Sequence, residues 1–225
     1  MSGRRICPDG KAVSMIPTEE EMRTALEERQ GKGLTEVFSR ARVAVCGLGG
    51  LGSNIASALA RAGVGKLILA DYDRVDVSNL HRQQYKASQV GRYKTEALAE
   101  NLKEIAPYAE LEKHTLRVDE DNGTALLREA DVICEAFDDA ECKAMLVNLV
   151  LEHMPDKYLV AASGMAGMGK PNRITTRRVA KRFYLCGDGI SDAADGIGLV
   201  APRVMVCAAH QAQTVLRILA GKLDV

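Results

Sequence analysis

An apolar stretch, Arg42-Val43-Ala44-Val45-Cys46, runs directly into Gly47-Leu48-Gly49-Gly50-Leu51-Gly52, after which Leu51, Ile55 and Leu59 recur at helical spacing. Few folds accommodate a strand that ends in closely spaced glycines and restarts as a helix, because the turn is tighter than side chains allow. Gly63 closes the helix, and Lys66 to Asp71 forms the next apolar strand. Strand, turn, helix and strand together occupy about thirty residues, the length of one βαβ unit. Such a turn lets the backbone approach a phosphate, and the helix after it offers free N–H groups and its positive end. Gly47, Gly49, Gly50 and Gly52 are therefore expected to cradle a nucleotide. Asp71 ends the second strand, where a carboxylate can accept hydrogen bonds from ribose hydroxyls. Glycine turns also occur for structural reasons alone. By themselves these residues would suggest NAD and hydride transfer, and they do not fix the cofactor.

The rest of the chain continues the alternation. Thr18 with Glu21 is a capping-box pattern that opens a helix ending near Gly31 and Gly33, and a shorter helical stretch covers Leu34 to Ala41. Leu98, Leu102 and Ile105 mark a helix stopped by Pro107, followed by a strand from Leu111 to Val118. Ala130 to Phe137 reads as a buried strand, Ala140 to Leu151 as a helix and Tyr158 to Ala162 as another buried strand. Ser191 to Gly198 reads as an exposed loop, and Pro202 and Gly221 bracket a last, largely apolar helix. The fold class expected is α/β: a Rossmann-like, doubly wound, mostly parallel sheet with helices on both faces, preceded by an N-terminal helical segment. Residues 1–17 are expected to form a loose arm and residues 18–225 a single domain.

Composition narrows the function. Thirty Lys+Arg balance thirty Asp+Glu, which argues against a protein built mainly to grip nucleic acid or an anionic membrane. Three Phe, six Tyr and no Trp supply a base-stacking platform poorly. The N-terminus lacks the apolar core of a signal peptide and no apolar run is long enough to span a bilayer, so a cytoplasmic, reduced setting is expected. Six cysteines include no Cys-x-x-Cys pair and no His at zinc-finger spacing, so no zinc is expected.

The segment after Asp71 is more restrictive than the glycines. The stretch Asp71-Tyr72-Asp73-Arg74-Val75-Asp76-Val77-Ser78-Asn79-Leu80-His81-Arg82-Gln83, then Gly91-Arg92-Tyr93-Lys94, resembles the nucleotide site of the ThiF/MoeB-like family of the ubiquitin-activating superfamily. The resemblance continues to Asp138, to Ser163-Gly164 and to Ala201-Pro202, covers roughly residues 20 to 222, and is greatest to the compact ThiF group. It implies an enzyme that uses ATP and Mg²⁺ to adenylate the C-terminal glycine carboxylate of a ubiquitin-like sulfur carrier, ThiS, in thiamine thiazole synthesis. It further implies that Asp71, Asp73, Asn79 and Gln83 help hold the nucleotide, that Arg82 and Lys94 contact the triphosphate, and that Asp138 helps hold Mg²⁺. The chemistry agrees: attack of a carboxylate on the α-phosphate of ATP brings anions together, so the site needs cations, a metal ion and positioning more than a nucleophile. Arg82 or Lys94 could instead be a solvated surface charge, and Asp138 could simply cap the helix that begins near Ala140.

Two further candidates come from the resemblance. Family members take an arginine from the neighbouring subunit of a homodimer, and Arg29-Gln30 is the candidate pair, although it lies closer to Gly47 than in the larger relatives. A cysteine in the family can receive the activated carrier, and Cys186 is the best placed. Lys181 and Arg182 would lower its pKa if they lay beside it, whereas most lone cysteines simply pack. From Lys157 to Gly187 there are seven basic residues and no acidic one. This stretch is either a solvated face or a surface that steers an acidic partner or RNA. Three rival functions remain: an ATP-dependent tRNA threonylcarbamoyladenosine dehydratase, an NAD-dependent oxidoreductase, and a non-catalytic partner of a ubiquitin-like protein. The oxidoreductase leaves Asn79, Arg82, Lys94 and Asp138 without a shared role.

Overall fold

The computed structural model describes residues 16–225 and, before them, only two short paired strands, β1 (Arg5–Ile6) and β2 (Ala12–Val13). The loose arm expected over residues 1–17 falls largely outside the described residues. Helix α1 (Glu19–Gln30) starts with the expected capping box: the Thr18 side chain accepts from the Glu21 N–H while the Glu21 carboxylate accepts from the Thr18 N–H. Gly31 ends it at a φ of 94°, and α2 (Lys32–Arg40) leads into β3 (Arg42–Cys46).

From β3 the chain builds one sheet. Helix α3 (Gly50–Arg61) crosses to β4 (Lys66–Ala70), and α4 (Lys94–Ile105) crosses to β5 (Glu110–His114). The chain then returns through a short α5 (Gly123–Leu127) to β6 (Val132–Glu135), α6 (Ala140–His153) and β7 (Tyr158–Ala162). A hairpin, β8 (Thr175–Ala180) and β9 (Phe183–Gly187), and the long α7 (Ala201–Leu219) complete it. The order is β5-β4-β3-β6-β7-β9-β8, with β8 the antiparallel member at one edge. This is the Rossmann-like architecture anticipated from the alternation of strands and helices. The expected strand over Leu111–Val118 instead starts at Glu110 and stops at His114, because β4 offers partners only from Lys66 to Ala70. Thr115 to Val118 continue past the sheet edge.

Alternation along the strands divides the core. Val43, Val45, Leu67, Leu69, Cys134 and Val160 pack with α3, α4 and α7, whereas Ala44, Cys46, Ile68, Ile133 and Leu159 face α5 and α6. Strands buried on both faces read as continuous apolar runs, which is why β3, β4, β6 and β7 were recognisable. Because β4 and β5 lie on one side of β3 while β6 and β7 lie on the other, the chain reverses direction between β3 and β6. A crevice opens there at the C-terminal ends of the strands, the usual ligand position in such sheets.

One buried guanidinium ties the far side of this crevice together. Arg203 on α7 donates to the carbonyls of Ala166, Gly169 and Lys170 after β7 and to Asp188 Oδ2 at 2.5 Å after β9. Burial opposes ionisation of Asp188, but the Ser191 and Ile190 N–H groups, the Ser191 hydroxyl and Arg203 outweigh it and hold its pKa at about 2, below the ordinary 3.8. A carboxylate whose folded pKa is depressed contributes stability above its unfolded pKa and loses it as pH falls through the folded one. The expectation is a loss of about 2 kcal/mol between pH 4 and pH 2, measured by urea denaturation. Asp188→Asn should flatten that acid dependence and, by leaving Arg203 buried without its partner, cost about 3 kcal/mol at neutral pH.

Candidate functional site

The crevice is lined by the glycine turn, the segments after β4, β5 and β6, and the start of α7. Its floor is set by sterics. Gly47 has a φ of 88°, and a Cβ there would sit 2.7 Å from the Ala136 carbonyl oxygen. A Cβ on Gly52 would sit 1.8 Å from the Gly47 carbonyl oxygen, so α3 meets the end of β3 only because residue 52 has no side chain. Gly49 precedes α3 with no side-chain cap, which leaves the leading N–H groups of the helix at the cleft.

Asp71 is buried, and both of its oxygens accept backbone N–H groups: Oδ2 from Leu48 at 2.6 Å and Oδ1 from Asp73 at 2.7 Å. It fastens the glycine turn to the end of β4 while lining the cleft. Burial raises its pKa, opposed by Lys94 and the two N–H groups. Lys94, the first residue of α4, is 7% exposed and lies 2.7 Å from Asp73 Oδ2 and 3.9 Å from Asp71 Oδ2. Arg82 donates to the Ser78 carbonyl at 3.1 Å, its Nη1 lies 3.5 Å from His81 Nε2, and among the described residues it forms no ion pair with a carboxylate. Gln83 is buried on the cleft wall, and its Oε1 has no hydrogen-bond partner among the described residues.

Asp138 enters the cleft just beyond β6. The side chain that caps α6 is Asp139, which accepts from the Cys142 N–H. Asp138 is exposed, lines the cleft and makes no hydrogen bond among the described residues, so the capping alternative raised by the sequence is set aside. Gly47, Gly49, Gly50, Asp71, Asp73, Arg82, Gln83, Lys94 and Asp138 thus come together along one cleft, with Gly52 packed beneath the turn.

Three expected residues do not join them. Asn79 is spent on its own turn, where its Oδ1 accepts from the Asp76 N–H in a reciprocal cap. Arg29 is exposed at the end of α1, and its neighbour Gln30 donates to the carbonyl of Ala62, the C-cap of α3. The cleft is at the other end of that helix, about 18 Å away for twelve residues. Cys186 is fully buried in β9, its sulfur 3.5 Å from Thr176 Oγ1 and 3.9 Å from Thr214 Oγ1. Burial pushes its thiol up. The anticipated lowering by Lys181 and Arg182 is corrected, because Lys181 is exposed and Arg182 lies over the Tyr158 ring and donates to the Asp156 carbonyl.

The structure adds residues that the sequence reading missed. Glu135, at the end of β6, is 1% exposed, and both its oxygens lie 3.0 Å from Lys143 Nζ. Lys143 also donates to the Ala162 carbonyl, and the Phe137 N–H donates to Glu135. This group joins the ends of β6 and β7 to α6 and sets the turn that presents Asp138. Its signal was present: an acidic residue inside an apolar strand demands a cation, and Lys143 lies one strand-to-helix turn away. Tyr72, Arg117 and Cys142 also line the cleft.

Residues 22–225 match the ThiF family. The adenylyltransferase and sulfurtransferase uba4 of Aspergillus terreus is 30% identical over 198 residues, which cover 82% of this chain and 40% of that protein. Ubiquitin-like modifier-activating enzyme 5 of Caenorhabditis elegans is 40% identical over 92 residues, 40% of this chain and 22% of its own length. The chain therefore spans two fifths or less of these curated relatives. Among solved structures, E. coli tRNA N6-threonylcarbamoyladenosine dehydratase, TcdA, in complex with ATP shares the fold with a TM-score of 0.83 at 22% identity, over 93% of this chain and 98% of that one.

Removing one member of a buried ion pair leaves the other uncompensated, at a cost of about 3 kcal/mol or more. Lys143→Met should lower the stability measured by urea denaturation by that amount, and Glu135→Gln combined with it should cost less than the two single changes added together. Strict additivity would show that the two side chains do not act as a pair.

Proposed function

The chain belongs to the ThiF family, and from that premise we propose that it uses ATP to adenylate the C-terminal carboxylate of a small ubiquitin-like protein. The observation that carries this reading is the composition of the cleft. Arg82 and Lys94 stand beside a sterically enforced glycine turn and line the same cleft as Asp138, a carboxylate without a hydrogen-bond partner among the described residues. In the proposed reaction a carboxylate oxygen of the carrier bonds to the α-phosphorus, the bond from that phosphorus to the bridging oxygen breaks, and pyrophosphate leaves. No protein nucleophile is required. The protein's part is to concentrate positive charge where negative charge accumulates and to hold the reactants in line.

The residues divide that work. The turn and the first N–H groups of α3 suit phosphate oxygens, and Gln83 Oε1 is a buried acceptor still lacking a donor. Asp73 restrains Lys94 until phosphate competes for the ammonium, which frees the Asp73 carboxylate for ribose hydroxyls. Asp71 acts first as the brace of the turn. The unpaired Asp138 carboxylate fits Mg²⁺, a hard cation that would offset triphosphate charge when bound. The carrier proposed is ThiS, with its terminal glycine as acceptor, in thiazole synthesis. A homodimer would allow Arg29, remote from the cleft within its own chain, to serve the partner's site.

A second reading, a tRNA-modifying dehydratase, is favoured by the exposure of Lys170, Arg173, Arg177 and Lys181 along one edge. The solved TcdA structure bears the name of such an enzyme. Arg178 and Arg182 weaken this reading, since both are committed to carbonyls and aromatic rings of their own chain.

Exchange of labelled pyrophosphate into ATP, with and without a Gly-Gly-terminated ThiS, separates these readings. Carrier-dependent exchange is expected, and Arg82→Ala, Lys94→Ala and Asp138→Ala should each reduce it by about a hundredfold or more. ATP binding without exchange, restored by threonylcarbamoyl-tRNA, would transfer the assignment to the dehydratase. Tight NADH binding in place of ATP would overturn both.

A further inference from the structure

The cleft cations Arg82 and Lys94 sit on different segments, and two buried amides outside the cleft join those segments. Gln89, just before α4, and Asn101, on α4, are both buried. Their side chains pair reciprocally: Gln89 Nε2 donates to Asn101 Oδ1 at 2.9 Å, and Asn101 Nδ2 donates to Gln89 Oε1 at 3.0 Å. The other two amide hydrogens go to backbone carbonyls, from Gln89 to Ala97 at 3.1 Å and from Asn101 to Gln84 at 2.8 Å. Gln89 Oε1 also accepts the Lys86 N–H at 3.0 Å. All four amide hydrogens are therefore used, and turning either amide over would set its oxygen against a carbonyl oxygen. The pair has one orientation.

The places these bonds reach are selective. Gln84, two residues after Arg82, donates its N–H to Ser53 Oγ and its side-chain amide to Asn54 Oδ1, both on α3, while its carbonyl accepts from Asn101 on α4. The segment that carries Arg82 is thus held between two helices. Lys94 is the first residue of α4, and Asn101 follows it by about two turns on the same helix face. An apolar pair could fill the space of Gln89 and Asn101. It would leave the Gln84 carbonyl without its donor and remove the directional bonds that fix the segment along α4.

We propose that Gln89 and Asn101 are positioning residues that hold Arg82 at a set spacing from Lys94, so that both cations engage one polyanion together. The inference rests on the proposed nucleotide reading of the cleft, and neither amide touches the ligand. Without the pair, Arg82 follows α3 alone and Lys94 follows α4 alone. Charges already in place stabilise an anion without reorganising, whereas charges that must first be aligned lose part of that gain.

A double-mutant cycle read by titration calorimetry with MgATP tests this, with thermal denaturation of each variant fixing its folded fraction. Arg82→Ala should weaken ATP binding about tenfold and Asn101→Leu about fivefold, and the two together should weaken it about tenfold, because an arginine already out of place has little left to lose. A purely structural role for Asn101 gives additive losses, about fiftyfold for the pair of changes, and that result would overturn the inference. Gln89→Met, which leaves Asn101 in place but unoriented, should give the same cycle with Arg82→Ala, and it decides the matter if Asn101→Leu does not fold. Additive losses, or a Gln89→Met protein that binds ATP as tightly as the unmodified chain, would overturn this inference alone. Failure of the unmodified chain to bind ATP would overturn the nucleotide reading and this inference with it.

Discussion

How closely α3 approaches the end of β3 governs the geometry of the whole cleft. The contact of Gly52 against the Gly47 carbonyl brings the start of the helix to the end of the strand, and the Leu48 N–H, held by Asp71, fixes the turn to β4. Any side chain at residue 52 would push the helix outward and carry Arg82 with it, since Asn54 on α3 donates to the Arg82 carbonyl. Tyr85, whose hydroxyl donates to the Leu48 carbonyl, locks the same turn from the other side. Two strands, a helix and the segment bearing the cationic residues are thus referenced to one backbone contact. That rigidity is what preorganised electrostatics requires, because charges that must reorganise during a reaction stabilise little.

Much of this was legible because the constraint is local. The glycine spacing, the apolar strand runs and the Asp71 to Lys94 motif lie close together in sequence, and each has one inexpensive structural solution. The parts that were misread depend on distant partners. β8 carries Arg177 and Arg178, and the turn before β9 carries Arg182, in a stretch that reads as a charged surface, yet Tyr184 and Cys186 are buried beneath α7, and β9 pairs with β7. An edge hairpin with one wet face cannot show the continuous apolar run that marks β3 or β6. Cys186 was misjudged for the same reason. The segment before it is basic, but β9 turns the thiol inward, while Arg178 on β8 and Arg182 in the hairpin turn reach carbonyls and rings elsewhere.

Asp138 and Glu135 show how three residues can separate two roles for a carboxylate. Glu135 is the last residue of β6, so its carboxylate is buried and must be neutralised in place; Lys143 and the Phe137 N–H do so. Asp138 has passed the end of the sheet, and because Asp139 takes the capping position its carboxylate remains unspent. A well-packed apolar pair at positions 135 and 143 would often be at least as stable as the buried ions. The retained pair does something an apolar pair cannot: the Lys143 ammonium reaches the Ala162 carbonyl while Glu135 accepts the Phe137 N–H, linking β7 and the Asp138 turn through directional bonds.

The same distinction orders the cations of the cleft. Lys143 spends its donors on Glu135 and the Ala162 carbonyl, so little of its field is left for a ligand. Lys94 is intermediate, paired at 2.7 Å with Asp73, a carboxylate that is itself part exposed. Among the described residues Arg82 and Arg117 form no ion pair with a carboxylate; Arg82 donates to the Ser78 carbonyl and Arg117 to the Cys142 sulfur. A carbonyl or a thiol orients a guanidinium without cancelling its charge, so two side chains projecting from different segments of the cleft wall carry a charge with no direct carboxylate partner among the described residues. A chain with no formal net charge, and a cleft whose cations and carboxylates balance, can still keep two arginines free of a direct carboxylate partner among the described residues. What matters at the site is which charges are already spent on the protein itself: the fold spends Lys143 on the strand ends, while Arg82, Arg117 and Asp138 line the cleft without an ion pair among the described residues.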